Sequence, residues 1–188
     1  MTRGDRLRYL ERTFASVFGQ ECAIPVHHMI WLDDPSFGVR RWLKENEGQF
    51  AWSHVSPHNL GQNIAMNDMI QQAVNLDCAW FLRIDDDCFF EEPKQWLAAM
   101  LKTEEDARES CGRYVVMGPQ VNGLRNPIEA IGHVRMGGNA KDQVAVLGGI
   151  CRLAPMSILR YFRFSERLPM GGGEARQFAV FCSQNGVY

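Results

Sequence analysis

Three consecutive aspartates, Asp85, Asp86 and Asp87, follow a mostly apolar run at residues 79–84. Like charges this close together repel one another and destabilise a fold unless a positive charge lies among them. Mg²⁺ and Mn²⁺ prefer carboxylate and water ligands, and they are commonly held by one or two carboxylates together with substrate phosphates. The triplet therefore predicts a Mn²⁺ or Mg²⁺ site that takes a phosphate-bearing ligand.

The spacing of the triplet predicts which side chains bind the metal. Alternate side chains of a strand point to one face, so Asp85 and Asp87 are expected to lie together as metal ligands, with Asp86 facing elsewhere. A second acidic pair, Asp33 and Asp34, ends another apolar run. An isolated triplet is more often a solvated turn, but ligands of open α/β sheets bind beyond the carboxyl ends of the strands. Two acidic strand ends therefore favour a binding site.

The elements that would position these residues alternate along the chain. Apolar spacing and turn residues predict helices over residues 5–18, 38–48, 62–75, from Pro93 onward, 155–163 and 174–184. They predict strands over residues 25–32, 51–55, 79–84 and 114–118, and a hairpin formed by 131–136 and 143–151. The polar stretch 102–112 is predicted to be exposed. This order indicates an α/β fold with a mostly parallel central sheet and helices on both faces.

Composition sets limits on organisation and partners. A chain of 188 residues suits one domain, here 1–188, and a net charge of −2 gives no general attraction to nucleic acid or to an anionic membrane. The six cysteines form no CxxC pair and are interpreted as buried, reduced thiols. No apolar run approaches the length of a membrane span and no signal peptide is seen, so the expected location is cytoplasmic.

Several motifs together resemble those of GT-A-fold glycosyltransferases, closest in pattern to family 2. The segment MIWLDDPS resembles their second strand, NLGQNIAMNDMIQQA their Asn-Leu-Gly segment and helix, and WFLRIDDD their strand and DxD motif. The stretches GPQVNG and GGICRLAP fit the acceptor half, and GGGEARQF lies where such enzymes carry an acidic base. The resemblance implies a three-layer α/β/α nucleotide-diphospho-sugar transferase fold. Its nucleotide-sugar half would span about 1–90 and its acceptor half about 91–188.

The resemblance also implies roles for single residues. It assigns donor binding to six residues: Asp33, Asp34, Gly61, Asn67, Asp85 and Asp86. Asp33 or Asp34 would contact the base or ribose, and the others would lie along the nucleotide and the sugar diphosphate. Asp85 and Asp87 would bind the metal. Glu174 becomes the general base that takes a proton from the acceptor hydroxyl in an inverting transfer. The implied donor is a nucleotide sugar, while a glycan, lipid, protein or modified nucleobase all stay open as acceptor.

Three departures accompany the resemblance. The first strand of such folds normally precedes the loop that TRGD resembles, so we expect that the strand is absent, that the chain is a shortened form, or that another element fills its place. A metal-binding histidine beyond the final helix cannot be assigned, and Glu174 stands where an acidic pair is usual. Two alternatives therefore stay beside glycosyl transfer: nucleotidyl transfer on a related fold, and an inactive sugar-nucleotide-binding module. Arg83, unusual in an apolar strand, is expected to pair with a neighbouring carboxylate or to reach a phosphate.

Overall fold

The computed structural model describes residues 2–4, 6–90, 95–116, 118, 151–167 and 174–187. The strands are β1 (Thr2–Gly4), β2 (Met29–Pro35), β3 (Trp52–Ser56), β4 (Trp80–Ile84) and β5 (Cys151–Pro155). The helices are α1 (Leu7–Phe18), α2 (Phe37–Asn46), α3 (Gln62–Asn75), α4 (Trp96–Cys111), α5 (Met156–Leu159) and α6 (Glu174–Gln184), and a 3-10 turn spans Glu47–Gln49. Strands and helices alternate through the first half, as the sequence predicts.

One sheet of the described residues is parallel and has the order β1-β2-β3. Strand β2 pairs with β3 along five positions, from Met29 opposite Trp52 to Asp33 opposite Ser56. On its other edge β2 pairs with β1 only near its end, where Thr2 lies opposite Leu32. The segment expected to form a loop after a missing first strand is therefore itself a short first strand.

The second sheet pairs β4 with β5 in antiparallel register, from Trp80 opposite Pro155 to Ile84 opposite Cys151. The described strands thus form a three-stranded parallel sheet and a two-stranded antiparallel sheet, so one larger, mostly parallel sheet stays a prediction. The hairpin predicted over 131–151 lies outside the described residues, except that Cys151 begins β5. Residues 114–116 and 118, predicted as strand, are described and are not in a strand.

Two apolar clusters lie on either side of β2, because its side chains alternate between faces. Ile30 and Leu32 pack in one cluster with α1 and α2, through residues such as Leu10 and Trp42. Met29 packs against the other cluster, which joins α3 to β4, β5 and α6. The sheet region is therefore covered by helices on both faces.

One strand boundary differs from the prediction. Residues 25–28 precede β2 instead of belonging to it, and Ile24 and Val26 are exposed, so the apolar run there is not buried. Helix α4 continues to Cys111 through the stretch 102–112, which is mostly exposed as predicted. Glu104 is the buried residue within that stretch, and it lies 3.5 Å from Arg108.

All six cysteines are outside disulfides, as the sequence predicts. Only Cys151 and Cys182 are buried, however, and Cys111 is exposed, so the prediction of burial was wrong for Cys111. Among the residues that the structure describes, no helix is both long enough and apolar enough to cross a membrane.

Candidate functional site

The three aspartates lie on a tight turn at the end of β4. The backbone N–H of Cys88 donates to the carbonyl oxygen of Asp85 at 3.1 Å, which closes the turn. The chain therefore leaves the extended conformation at Asp85, and the alternation of a strand no longer applies beyond it. We call Asp85, Asp86 and Asp87 the acidic turn.

Arg6, one residue before α1, contacts two members of the acidic turn. Its Nη2 donates to Oδ2 of Asp87 at 2.5 Å, and its Nε lies 3.4 Å from Oδ2 of Asp86. Asp86 and Asp87 therefore share one guanidinium, and the expectation that Asp85 and Asp87 act together as metal ligands stays a prediction. Burial opposes the charge of Arg6, but the hydrogen bond to Asp87 and the charges of Asp86 and Asp87 raise its pKa.

Helix α1 holds the acidic turn at a second point. The Thr13 hydroxyl donates to the backbone carbonyl of Asp86 at 2.9 Å in a buried position, 73 residues away in sequence. Together with Arg6, this contact fixes the first helix against the end of β4. Because both contacts come from the region that follows β1, the ends of β1 and β4 are brought to one place.

Asp85 pairs with the buried Arg83 from its own strand. Nη2 and Nε of Arg83 lie 2.9 Å and 3.2 Å from Oδ1 of Asp85, which confirms the expectation that Arg83 pairs with a neighbouring carboxylate. The side-chain amide of Gln62, the first residue of α3, faces the same guanidinium, with its oxygen 2.8 Å from Nη1 when turned toward it. Arg83 therefore links the acidic turn to the start of α3.

Asp33 holds the backbone that leads into α3. Its carboxylate is fully buried and accepts from the N–H groups of Leu60 at 2.8 Å and Gly61 at 3.0 Å. Gly61 has φ 89° and ψ 160°, a conformation that is essentially restricted to glycine. A chain of contacts thus runs from Asp33 through Gly61 and its neighbour Gln62 to Arg83 and the acidic turn.

Asp34 and Asn67 differ in what they offer a ligand. Asp34 is exposed at the end of β2 with φ 50°, a left-handed conformation that aspartate tolerates. Asn67 is buried, and its amide holds the segment after α5: Nδ2 donates to the carbonyl oxygen of Phe164 at 3.0 Å, and Oδ1 accepts from the Phe164 N–H at 2.9 Å. Of these two residues, only Asp34 presents its side chain to solvent.

The predicted base lies at the start of an observed helix. Glu174 is the first residue of α6, as the sequence predicts. Its side chain and the preceding glycines Gly171, Gly172 and Gly173 lie outside the described residues. The role of Glu174 as general base stays a prediction.

The acidic turn has the donor chemistry of a divalent-cation site that is completed by a ligand. Asp85 and Asp87 expose 31% and 48% of their side chains, whereas Asp86 exposes 4%. Within the described ranges, no group of three or more His, Cys, Asp or Glu side chains is placed to hold a metal. One or two exposed carboxylates still fit Mg²⁺ or Mn²⁺, because phosphate oxygens and water supply the remaining ligands.

The protein itself compensates much of the charge that led us to predict a metal. Two guanidiniums, those of Arg6 and Arg83, contact the three carboxylates of the acidic turn. Counted over these five side chains alone, the formal charge is −1. Sequence reasoning identified Arg83 but missed Arg6, although Arg6 lies just beyond the end of a parallel strand, where site residues of such folds meet.

The acidic turn also affects the pKa values of two neighbouring thiols. Burial, followed by the charges of Asp85 and Asp87, raises the pKa of Cys88 to about 12. Burial likewise raises the pKa of Cys151, opposite Ile84 in the β4–β5 ladder, to about 12. Both thiols therefore stay protonated at neutral pH and act as small apolar groups beside the site.

Comparisons with known proteins find similarity in structure and none in sequence. No protein-family model matches the chain, and no curated protein matches it in sequence. Crystal structures of S. aureus TarS match it in fold: TarS 1-349 with a TM-score of 0.63 over 98% of this chain, and TarS with a TM-score of 0.64 over 98%. TarS 1-349 in complex with UDP matches with a TM-score of 0.58 over 96%.

The match identifies the fold that the sequence motifs predicted. Identity to each of the three TarS structures is 14%, and the chain covers 56%, 32% and 54% of them, so it spans about half of their length or less. TarS is a GT-A family 2 glycosyltransferase. The predicted GT-A fold is therefore confirmed, and the chemistry of this chain is a separate question.

Proposed function

We propose that this domain binds a nucleotide sugar and transfers its sugar to an acceptor hydroxyl. The observation that carries the proposal is the acidic turn, which lies at the end of β4 in a chain that shares its fold with a UDP-bound TarS structure. Ligands of open α/β folds bind beyond the carboxyl ends of strands. The turn lies at such an end, and Arg6 brings the start of α1 to it.

In this proposal the diphosphate lies beside Arg6 and the exposed carboxylates. Arg6 exposes 36% of its side chain, so part of its guanidinium can reach a phosphate oxygen. Asp87, with Asp85, would hold Mn²⁺ or Mg²⁺, which when bound neutralises charge on the departing nucleoside diphosphate. Asp34 is the exposed acid of β2 and would contact the ribose or base.

Asp33 and Asn67 take positioning roles in this proposal. Asp33 fixes the Leu60–Gly61 backbone, and Asn67 fixes the backbone at Phe164. Both side chains are buried and already hydrogen-bonded to backbone atoms. Gly61 and Gln62 at the start of α3 would then line the nucleotide site through their backbone and amide groups.

The proposed transfer step requires one general base. The bond between the sugar anomeric carbon and the diphosphate oxygen breaks, and the acceptor oxygen forms a new bond to that carbon. The acceptor proton passes to the Glu174 carboxylate, and the nucleoside diphosphate leaves with the electron pair. Glu174 begins α6, where an acidic side chain is also favoured by the helix dipole.

The test is a calorimetric titration of UDP with and without Mn²⁺. We expect the native protein to bind UDP more tightly in the presence of Mn²⁺. We expect the UDP affinity of Asp87→Ala to be lower by about tenfold or more. Asp106→Ala is the matched control, because Asp106 is a similarly exposed aspartate on α4 that forms an ion pair with Lys102. Equal UDP affinity in native protein and Asp87→Ala would remove the acidic turn from the donor site.

Assays with UDP-sugars and with nucleoside triphosphates separate the alternatives. Slow release of free sugar from UDP-glucose or UDP-N-acetylglucosamine supports glycosyl transfer. Binding of a nucleoside triphosphate with pyrophosphate release would instead indicate nucleotidyl transfer. UDP binding without hydrolysis or transfer to any acceptor would indicate a binding module.

A further inference from the structure

The two guanidiniums that contact the acidic turn differ in their freedom to move. Arg83 exposes only 6% of its side chain and lies 2.9 Å from Asp85, with the amide of Gln62 facing the same guanidinium. Arg6 exposes 36% of its side chain and reaches the turn from the residue before α1. Exposed side chains change rotamer rapidly, whereas packed ones are restrained. Of the two arginines, Arg6 is therefore the one that can leave its carboxylate without disturbing packed neighbours.

The backbone of the turn is held by contacts that do not involve Arg6. The Thr13 hydroxyl donates a buried hydrogen bond to the carbonyl oxygen of Asp86 at 2.9 Å. One helical position earlier, the guanidinium of Arg12 lies 3.3 Å from the centre of the Phe89 ring. The Arg6 side chain can therefore move while the acidic turn stays docked on α1.

Arg6 contacts the most exposed carboxylate of the acidic turn. Asp87 exposes 48% of its side chain, the largest fraction among the three aspartates. Nη2 of Arg6 donates to Oδ2 of Asp87 at 2.5 Å, while Nε lies 3.4 Å from Oδ2 of Asp86. Positive charges a few ångströms apart repel each other even where water screens them. The guanidinium therefore already supplies the positive charge that a divalent cation would bring to Asp87.

We propose that Arg6 is an intramolecular competitor of the divalent cation for the Asp87 carboxylate. A cation on its own binds weakly, because it must displace the guanidinium or bind against its repulsion. An arginine stays charged wherever its side chain moves, so an anion that takes up the guanidinium of Arg6 removes the competition. Cation binding at Asp87 then depends on a second, anionic ligand.

One consequence rests on the proposed function, in which that anion is the diphosphate of a nucleotide sugar. Phosphate oxygens accept well from a guanidinium, so the diphosphate draws Arg6 away from Asp87 and leaves the carboxylate to the cation. Each ligand then raises the affinity for the other by the same factor, because linkage between binding sites is reciprocal. The site therefore takes the cation together with the diphosphate and discriminates against a free cation.

The test measures Mn²⁺ binding without any nucleotide, from the electron paramagnetic resonance signal of free Mn²⁺. We expect Arg6→Gln to bind Mn²⁺ about tenfold more tightly than the native protein, because a neutral amide replaces the guanidinium. Arg6→Lys keeps the charge, so its affinity should stay within about threefold of the native value. Arg8→Gln is the matched control: Arg8 is exposed on α1, and residues two apart on a helix do not face each other.

An NMR titration of the native protein with Mg²⁺ observes the Arg6 side chain itself. Mg²⁺ binding should shift the Nε–H signal of Arg6, because the cation displaces the guanidinium from Asp87. The Nε–H signal of Arg41, which pairs with Glu45 on α2, should not move. This measurement gives a decision even if Arg6→Gln does not fold.

Three results would overturn the proposal. The first is equal Mn²⁺ affinity in the native protein and Arg6→Gln, and the second is an equal gain in Arg8→Gln, which would indicate an effect of net charge alone. The third is Mg²⁺ binding that leaves the Arg6 signal unchanged. Failure of the proposed function has a different signature: the native protein would bind no UDP with or without Mn²⁺, while Arg6→Gln would still gain Mn²⁺ affinity.

Discussion

Arg6 is the residue that most directly determines the state of the acidic turn, because its guanidinium contacts both Asp86 and Asp87. We predict that Arg6→Ala destabilises the fold by about 1 kcal/mol, since the pair is partly exposed. UDP affinity should fall about tenfold, because the exposed part of the guanidinium is lost. Urea denaturation and calorimetry measure the two effects.

The control for Arg6 is Arg41→Ala. Arg41 and Glu45 form an exposed pair with 65% exposure on both sides, at a distance of 3.7 Å. Its removal should change stability by less than about 0.5 kcal/mol and leave UDP affinity unchanged. If Arg6→Ala behaves like Arg41→Ala in both measurements, Arg6 has no special place in the site.

Asp33 and Asp34 are adjacent, but we predict that their substitution affects stability to different extents. Asp33→Asn turns one amide N–H toward backbone N–H groups in a fully buried position, so we expect a loss of about 2 kcal/mol. Asp34→Asn keeps a residue that tolerates φ 50°, so stability should change by less than about 0.5 kcal/mol. Thermal denaturation distinguishes the two variants. Equal losses of stability would contradict the conclusion that the buried Asp33 carboxylate holds the Leu60–Gly61 backbone.

At this scale the sequence predicted residue types better than partners. The triplet was recognised because charges that end an apolar strand are conspicuous. Arg6 was missed because its partners lie about 80 residues away, and local spacing carries no record of such contacts. Asn67 was assigned to the ligand, whereas its amide is taken up by the Phe164 backbone.

At the scale of elements, the junction between the Asn59–Leu60–Gly61 segment and α3 depends on one backbone conformation. Gly61 has φ 89° and ψ 160°, so Gly61→Ala should cost about 1–3 kcal/mol and shift the start of α3. Gly48→Ala is the control, because nothing lies within 4 Å of a β-carbon built there. Circular dichroism with urea denaturation compares them; equal stability of the two variants would contradict a conformational requirement at Gly61.

Helices were predicted better than strand ends. Helix α3 was predicted with its observed bounds because its apolar residues recur at helical spacing. The predicted strand at residues 25–32 began four residues too early, since an apolar run does not reveal which of its residues pair with a neighbour. Residues 114–116 were likewise predicted as a strand, but the structure does not assign them to one.

At the scale of the whole molecule, the raised thiol pKa values predict a pH dependence. The unfolded thiol has a pKa near 9.0, and that of Cys151 in the fold is about 12, so between these values the unfolded chain releases a proton that the native chain retains. This contribution is intact below pH 9, and stability falls as pH rises toward 12. We expect Cys151→Ala to flatten the decline in urea denaturation midpoints; an unchanged slope would contradict it.

The α/β class could be predicted from the alternation of elements, and the GT-A fold from the order of its motifs. Neither prediction depends on a single residue, so the errors in the ends of single elements did not affect them. The pairing of β4 with β5 could not be predicted, because antiparallel register across about 70 residues is set by tertiary contacts.

The most direct test of the account is a crystal structure of the protein soaked with UDP and Mn²⁺. We predict that the diphosphate lies within hydrogen-bond distance of Arg6 and that Asp87 would be among the residues that hold Mn²⁺. UDP bound elsewhere, with the contacts of Arg6 and Arg83 to the acidic turn unchanged, would contradict the account.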